Sequence, residues 1–412
     1  MLTVMNEENL PIAYARTSDG FRLHGQFARF SYTLHTRYNV CIGADKAVNF
    51  VYPFGNEHEW FLGSGALPYP AITYTGEMRI RLTLLGLRDD WRVFSNMQFP
   101  APDRATLHGF FLYASADLQV TSFHTETCAF HFAAQKPNLD IAALWNYLTP
   151  VLDWMNHHLV PFQPSHDLNV LILEAPRQFE LIGGYKTFAT GENFYGGIVT
   201  YGPRNPSYLE KLFGYNDYDE FLRDGFVHEL FHFYASSNPL SAKKSLLYPS
   251  PSCDPYIASL LGESLIGYLH RQYVTLGIKH SLVAFLQVAV AKTLAEGRID
   301  RMASWFVFDA YLRERGSSLL ACFRRWLEMQ AGQPFTELDE FLKVMATVAQ
   351  HPLPDYLLPI LWKRPPDQYL YVVEGALKRV GYEKAVVKGV PTVAPALEAP
   401  TVVFELPAYQ SQ

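Results

Sequence analysis

Two histidines one helical turn apart, with a glutamate directly after the first, stand at His228-Glu229-Leu230-Phe231-His232. On an α-helix, residues i and i+4 project from one face. Imidazoles in that register can share one Zn²⁺ at about 2.0–2.1 Å each. Glu229 is rotated about 100° from His228 around the helix axis. It therefore lies beside such a metal rather than in line with both imidazoles, where a carboxylate can act as general base toward an attacking water. A catalytic zinc takes three protein ligands and keeps one position open. Glu263 is the only acid in the strongly apolar, helix-patterned stretch 256–270. A carboxylate on such a helix needs a partner, and a metal is the simplest one. An arginine or a set of tyrosine hydroxyls is the alternative. His270 shares the face of Glu263 by its spacing of seven, and reads as a second candidate ligand, a supporting group, or a helix-end histidine.

The surrounding pattern must supply elements to hold these residues. From residue 1 to about 135 the chain reads as strands separated by turns: 21–32, 37–42, 47–54, 78–85, 108–114 and 118–132. Composition changes at Gln135-Lys136-Pro137-Asn138. A helix is then predicted to about His158, with Ile141, Leu144, Trp145, Leu148 and Leu152 inward and Pro150 as a kink point. The near-continuous apolar run 168–173 reads as a central strand. A further strand is predicted over 193–201, with Gly196-Gly197 inside it. Glycine in a strand lets another backbone approach, so Gly196 and Gly197 are candidate substrate-binding positions, or a plain bulge. Helical pattern follows from 216, where Asn216 can cap, to about 347. The proline-rich end suggests a small subdomain around 369–388 and a loosely held terminus. The expectation is an α+β chain: a β-rich sandwich or saddle at 1–138, a mainly helical catalytic domain at 139–350, and a tail or subdomain at 351–412.

His228-Glu229-Leu230-Phe231-His232, then Asn238-Pro239, then Leu261-Gly262-Glu263-Ser264-Leu265 resemble the glycyl-aminopeptidase family of gluzincin metallopeptidases. Tyr195-Gly196-Gly197-Ile198 is similar to that family's Gly-Gly-Leu-Glu-His strand, and Asp90-Trp91-Arg92 and the stretch 309–316 also look alike. The resemblance spans roughly 20–350. It implies a β-rich N-terminal domain before a thermolysin-like zincin domain, one zinc per chain on His228, His232 and Glu263, and peptide-bond hydrolysis, with aminopeptidase action among the options. The chain departs from the pattern at Val199-Thr200, where related enzymes carry an acid that receives the substrate's free amine. Ser264 replaces a glycine. No Tyr-x-Lys-Gly segment precedes Asp309, so the donor to the oxyanion is unassigned, with Tyr234, Tyr256, Tyr268 and Tyr311 available. These departures keep a second reading open, a binding or scaffold protein that retains a peptidase fold and its zinc without turnover.

Bulk composition narrows the class. The 412 residues are 49% hydrophobic and 18% charged, enough to bury a large core, and the net charge of −6 comes without a basic stripe. Nucleic acid is not an expected partner. No apolar run is long enough for a membrane span, and 281–291 reads as a buried helix. Cys41, Cys128, Cys253 and Cys322 lie far apart with no CxxC, which fits reduced thiols and a cytoplasmic setting. A peptide is the expected substrate. Oligomeric state is not legible.

Overall fold

A computed structural model describes residues 2–16, 21–24, 29–32, 54–55, 59–63, 87–96, 111–135, 140–161, 167–174, 190–194, 197–202, 225–231, 264–270, 290, 293–294, 301–330, 338–355, 357, 360–361 and 370–401. The strands expected at 37–42 and 78–85 fall outside these residues.

The N-terminal part is built of short antiparallel strands. β1 (Leu2–Met5) pairs with β4 (Arg29–Tyr32), and β2 (Tyr14–Arg16) with β3 (Phe21–Leu23). A four-stranded sheet has the order β5-β6-β8-β7, from Phe54–Gly55, Glu59–Gly63, Phe111–Ser115 and Arg92–Ser95 respectively. Every residue of β8 is buried, because this strand lies inside its sheet with packing on both faces. The chain then turns through Ala116 and Asp117 into β9 (Leu118–His124), which belongs to a different sheet.

That second sheet positions the site. It runs β12-β13-β11-β10-β9, with β10 at Ala129–Gln135, β11 at Leu168–Glu174, β12 at Thr190–Phe194 and β13 at Gly197–Gly202. β10, β11 and β13 are parallel neighbours, and the outer two strands are antiparallel to theirs. The run expected at 168–173 is its central strand. Leu168, Val170, Leu171, Ile172 and Leu173 are all buried, since a strand flanked by parallel partners is covered on both faces. On one face, Ala133, Leu171 and Leu173 pack against Phe94, Phe111 and Tyr113 of the four-stranded sheet. On the other, Phe130, Phe132, Val170 and Ile172 meet the helices. One sheet thus spans position 138, with β9 and β10 before it and β11 to β13 beyond it.

The structure splits two of the expected strands. The stretch 118–132 is a hairpin, β9 and β10, turned at Thr125, whose hydroxyl accepts the Cys128 N–H. The stretch 193–201 is also a hairpin: β12 and β13 pair antiparallel from Phe194↔Gly197 outward.

Helix α1 (Ile141–His158) covers the sheet, as its periodicity requires. Asp140 caps it by accepting the Ala143 N–H at 2.9 Å. Trp145 stacks on Phe123 at 4.9 Å between ring centroids. The later helices α2 (Arg301–Arg313), α3 (Leu319–Gln330), α4 (Leu338–Ala349) and α5 (Leu370–Arg379) share the same core, together with helical segments 225–231 and 264–270. α2 ends in a Schellman stop: Gly316 adopts φ +71° and the Ser317 N–H reaches the Leu312 carbonyl at 3.0 Å. Beyond α5, β14 (Tyr382–Val387) and β15 (Val390–Pro395) form a hairpin, with Val393 buried. The stretch 369–388 thus holds α5 and β14, and α5 packs into the common core. No helix among the described residues is long and apolar enough to cross a membrane.

Candidate metal centre

The first histidine and the glutamate of the motif lie in helical segment 225–231, which threads the core. Phe226, Val227, Leu230 and Phe231 are at most 1% exposed. Phe226 packs on Phe132 of β10 at 5.8 Å, and Phe231 on Phe323 of α3 at 6.2 Å. Both contacts follow from helix geometry. Phe226 and Leu230 project about 160° away from His228, so anchoring them inward turns His228 toward the opposite side. Of the side chains 226–231, His228 alone is only half-buried, whereas Glu229 is 5% exposed.

The second helical segment, 264–270, follows Glu263 directly. Polar bonds pin it at two points. Trp305 donates its indole N–H to the Ser264 hydroxyl at 3.1 Å. The Tyr268 hydroxyl donates to Asp309 Oδ2 at 2.8 Å. Asp309 is fully buried, and its other oxygen accepts the Leu319 N–H at 2.7 Å, at the start of α3. Arg313 Nε reaches Oδ2 at 3.3 Å. One carboxylate therefore joins segment 264–270, α2 and the positive end of α3. Cys322, one turn into α3, feels both its burial and the Asp309 charge, which push its thiol far above the usual range.

The two segments meet through histidines. The His228 and His270 rings stand 5.8 Å apart, edge to face at 75°. His270 is 2% exposed.

His232 and Glu263 lie outside the described residues, and among the described ones no three His, Cys, Asp or Glu side chains form a metal cluster. The described part of the donor set suits zinc. His228 is the one described member of that set, a half-buried imidazole of the kind zinc accepts, and the buried Glu229 beside it is rotated off the ligand face, as a general base requires.

The other expected residues find definite places. Gly196 lies outside the described residues. Gly197 opens β13 and pairs with Asn169 on one side and Phe194 on the other. Its backbone is taken up within the sheet, and among the described residues the terminal strand on this side is β12. Val199 stands directly opposite Glu192 of β12. The strand expected at 193–201 leaves Glu192 outside it; a glycine-bearing pair between two runs is a hairpin signal, and the hairpin brings Glu192 into β12. Of the tyrosines considered for the oxyanion, Tyr268 is bonded to Asp309, and Tyr311 donates to the Pro352 carbonyl at 3.2 Å. Tyr234 and Tyr256 lie outside the described residues. Cys128 and Cys322 are free thiols, as expected.

No family model and no curated protein matches the sequence. Solved structures do match. The aminopeptidase N family protein of Idiomarina loihiensis superposes with a TM-score of 0.61 at 12% identity, over 94% of this chain and 70% of that one. Fainter likenesses include the M1 zinc metallopeptidase of Deinococcus radiodurans (TM-score 0.44, 10% identity, 89% and 87% covered). Another is Legionella pneumophila aminopeptidase A in complex with aspartic acid (0.40, 12%, 62% and 29%). The fold is that of the aminopeptidase N family protein: an α+β architecture, β-rich first and helical later.

Proposed function

We propose that this chain is a zinc-dependent metallopeptidase, with one zinc per chain on His228, His232 and Glu263 and with Glu229 as general base. The observation that carries the reading is Glu229 itself. It is 5% exposed and directly follows the half-buried His228 on a helix packed into the core, the order of base and ligand that metal-assisted hydrolysis uses. The fold likeness at TM-score 0.61 supports the reading.

A zinc held by those three side chains supplies Lewis acidity at the scissile carbonyl and acidifies the attacking water. Glu229 takes the proton from that water and delivers it to the leaving amine. The outer edge of β12 receives the substrate backbone through main-chain hydrogen bonds. The substrate is a peptide in the cytoplasm, with no part for nucleic acid or membrane.

Purified protein should hold one zinc per chain, lost or much weakened in His232→Ala and Glu263→Ala. Glu229→Gln should keep zinc and lose turnover by roughly a hundredfold to ten-thousandfold. Absence of zinc from the reconstituted wild type would end this reading.

A second reading, an inactive scaffold that keeps the zinc, is favoured by one observation: the hydroxyls of Tyr268 and Tyr311 are both engaged in structural bonds. Zinc binding without cleavage of either free or blocked peptides would select it.

A further inference from the structure

We propose that Ser122 is a nucleophilic serine, activated by His131 and oriented through Asp167, that accepts acyl and phosphonyl groups at a site apart from the metal centre. The inference does not depend on the zinc reading given above. Ser122 of β9 lies directly across from His131 of β10, and Asp167 immediately precedes β11. Strand alternation sets the face they share. Phe123, Phe130 and Phe132 point toward α1 and the motif helix, where they pack on Trp145 and Phe226. Ser122 and His131 therefore project from the opposite face of the sheet. Ser122 is exposed there, and His131 is half-buried.

The polar contacts run in one line. Asp167 Oδ1 accepts the Ala129 N–H at 3.0 Å, and Oδ2 stands 3.5 Å from His131 Nε2. The Ala129 bond is the main reason that the Asp167 carboxyl is held below its ordinary value, so it is ionised at neutral pH. A carboxylate only accepts, so Nε2 carries the ring proton and Nδ1 keeps its lone pair. The Ser122 hydroxyl then donates to Nδ1 at 2.8 Å. A serine in hydrogen-bond reach of a base, with the base oriented by a third group, is the arrangement that activates a hydroxyl. The long contact between ring and carboxylate tightens when the ring becomes charged. In the reaction, Ser122 Oγ attacks the carbonyl carbon of an ester and His131 Nδ1 takes its proton. The carbon–oxygen bond to the alcohol then breaks, and the alcohol leaves with the proton from Nδ1. Water, deprotonated by the same nitrogen, releases the carboxylic acid and restores the serine. None of the three side chains donates to the developing oxyanion, so the substrate class is esters with a good leaving group, such as aryl esters.

The test treats the full chain with a fluorophosphonate probe, which loses fluoride as the Oγ–P bond forms, and with p-nitrophenyl acetate. Peptide mass spectrometry should find the phosphonyl group on Ser122. Ser122→Ala should remove that label and set the background for ester hydrolysis. His131→Ala should slow labelling of Ser122 roughly a hundredfold. Asp167→Asn keeps an oxygen for the Ala129 N–H, but its amide group donates to Nε2 and moves the ring proton to Nδ1. It should slow labelling as much as His131→Ala does, and nitrogen NMR should show the change of tautomer, which a merely structural role for Asp167 would not produce. Circular dichroism of each variant confirms the fold; Ser122 and Asp167 are exposed, so these substitutions leave the core intact. No label on Ser122 in the wild type, or equal labelling rates in the wild type and a folded His131→Ala, would overturn the proposal. Neither result bears on zinc stoichiometry, so the metallopeptidase reading is tested separately.

Discussion

Replacing Tyr268 by phenylalanine isolates one bond at the buried junction of three elements. The ring stays, so no cavity opens and the usual volume penalty does not apply. What is lost is an O–H···Oδ2 bond of 2.8 Å to Asp309, a carboxylate with no exposure. Hydrogen bonds to charged groups contribute about 1.5–3 kcal/mol net. Arg313 Nε remains at 3.3 Å from the same oxygen and shares the load, which places the loss near ~2 kcal/mol. For a cooperative unit of about 150–250 residues this lowers the midpoint by roughly 4–8 °C. Tyr311→Phe is the matched control. Its hydroxyl donates to a neutral carbonyl, that of Pro352, at 3.2 Å, so the loss should be about 0.5–1.5 kcal/mol. Differential scanning calorimetry of both variants beside the wild type reads the difference directly. Equal shifts in the two variants, or no shift in Tyr268→Phe, would refute the view that Asp309 anchors segment 264–270.

Phe226→Ala removes the ring that seats the motif helix on Phe132, and should destabilise by about 3–5 kcal/mol; denaturant titration checks this. Asp167 accepts the Ala129 N–H at 3.0 Å, and that bond, with lesser help from His131, holds its carboxyl below the ordinary value of 3.8. Its contribution is thus present above pH 3.8 and fades as pH falls through the lowered folded value. Asp167→Ala should be less stable than wild type at pH 7, and the two should converge as pH falls below the lowered value; a gap that widens in acid would contradict this. Cys322, whose thiol burial and the Asp309 charge push up, should resist alkylation at pH 8 in the native protein and react on unfolding. Rapid native labelling at that position, read by mass spectrometry, would count against its buried setting.

Period-based patterns were legible because burial imposes them. The central strand β11 announced itself as a continuous apolar run, since parallel neighbours leave it no solvent face. Helix α1 announced itself through Ile141, Leu144, Leu148 and Leu152, all of which are buried. Turns inside apolar stretches were harder to read. The β9–β10 hairpin turns at Thr125–Cys128, where the Thr125 hydroxyl replaces the more usual glycine signal. The β12–β13 hairpin turns beside Gly197, and a glycine pair that reads equally as a bulge or a turn hid Glu192 on a separate strand. Sheet membership was illegible for a different reason. Nothing local in 111–124 shows that β8 and β9, two residues apart, belong to separate sheets, because strand pairing is set by distant partners.

The same logic that drew attention to Glu263 applies with equal force to Asp309, a lone acid in Trp305-Phe306-Val307-Phe308-Asp309-Ala310-Tyr311-Leu312. A carboxylate in such a run must be compensated, and the structure shows how: by a tyrosine, an arginine and a helix N-terminus. Spacing separates this acid from Glu263. Asp309 has Arg313 one turn away on its own helix, a cation within i+4 reach. Glu263 has no Lys or Arg at i±3 or i±4, where Leu260, Ser259, Ile266 and Gly267 stand instead. On the proposed reading, the partner of Glu263 is the zinc rather than a side chain of its own segment. The rings of His228 and His270 bring the motif helix against segment 264–270, so the proposed zinc would join two segments that already touch.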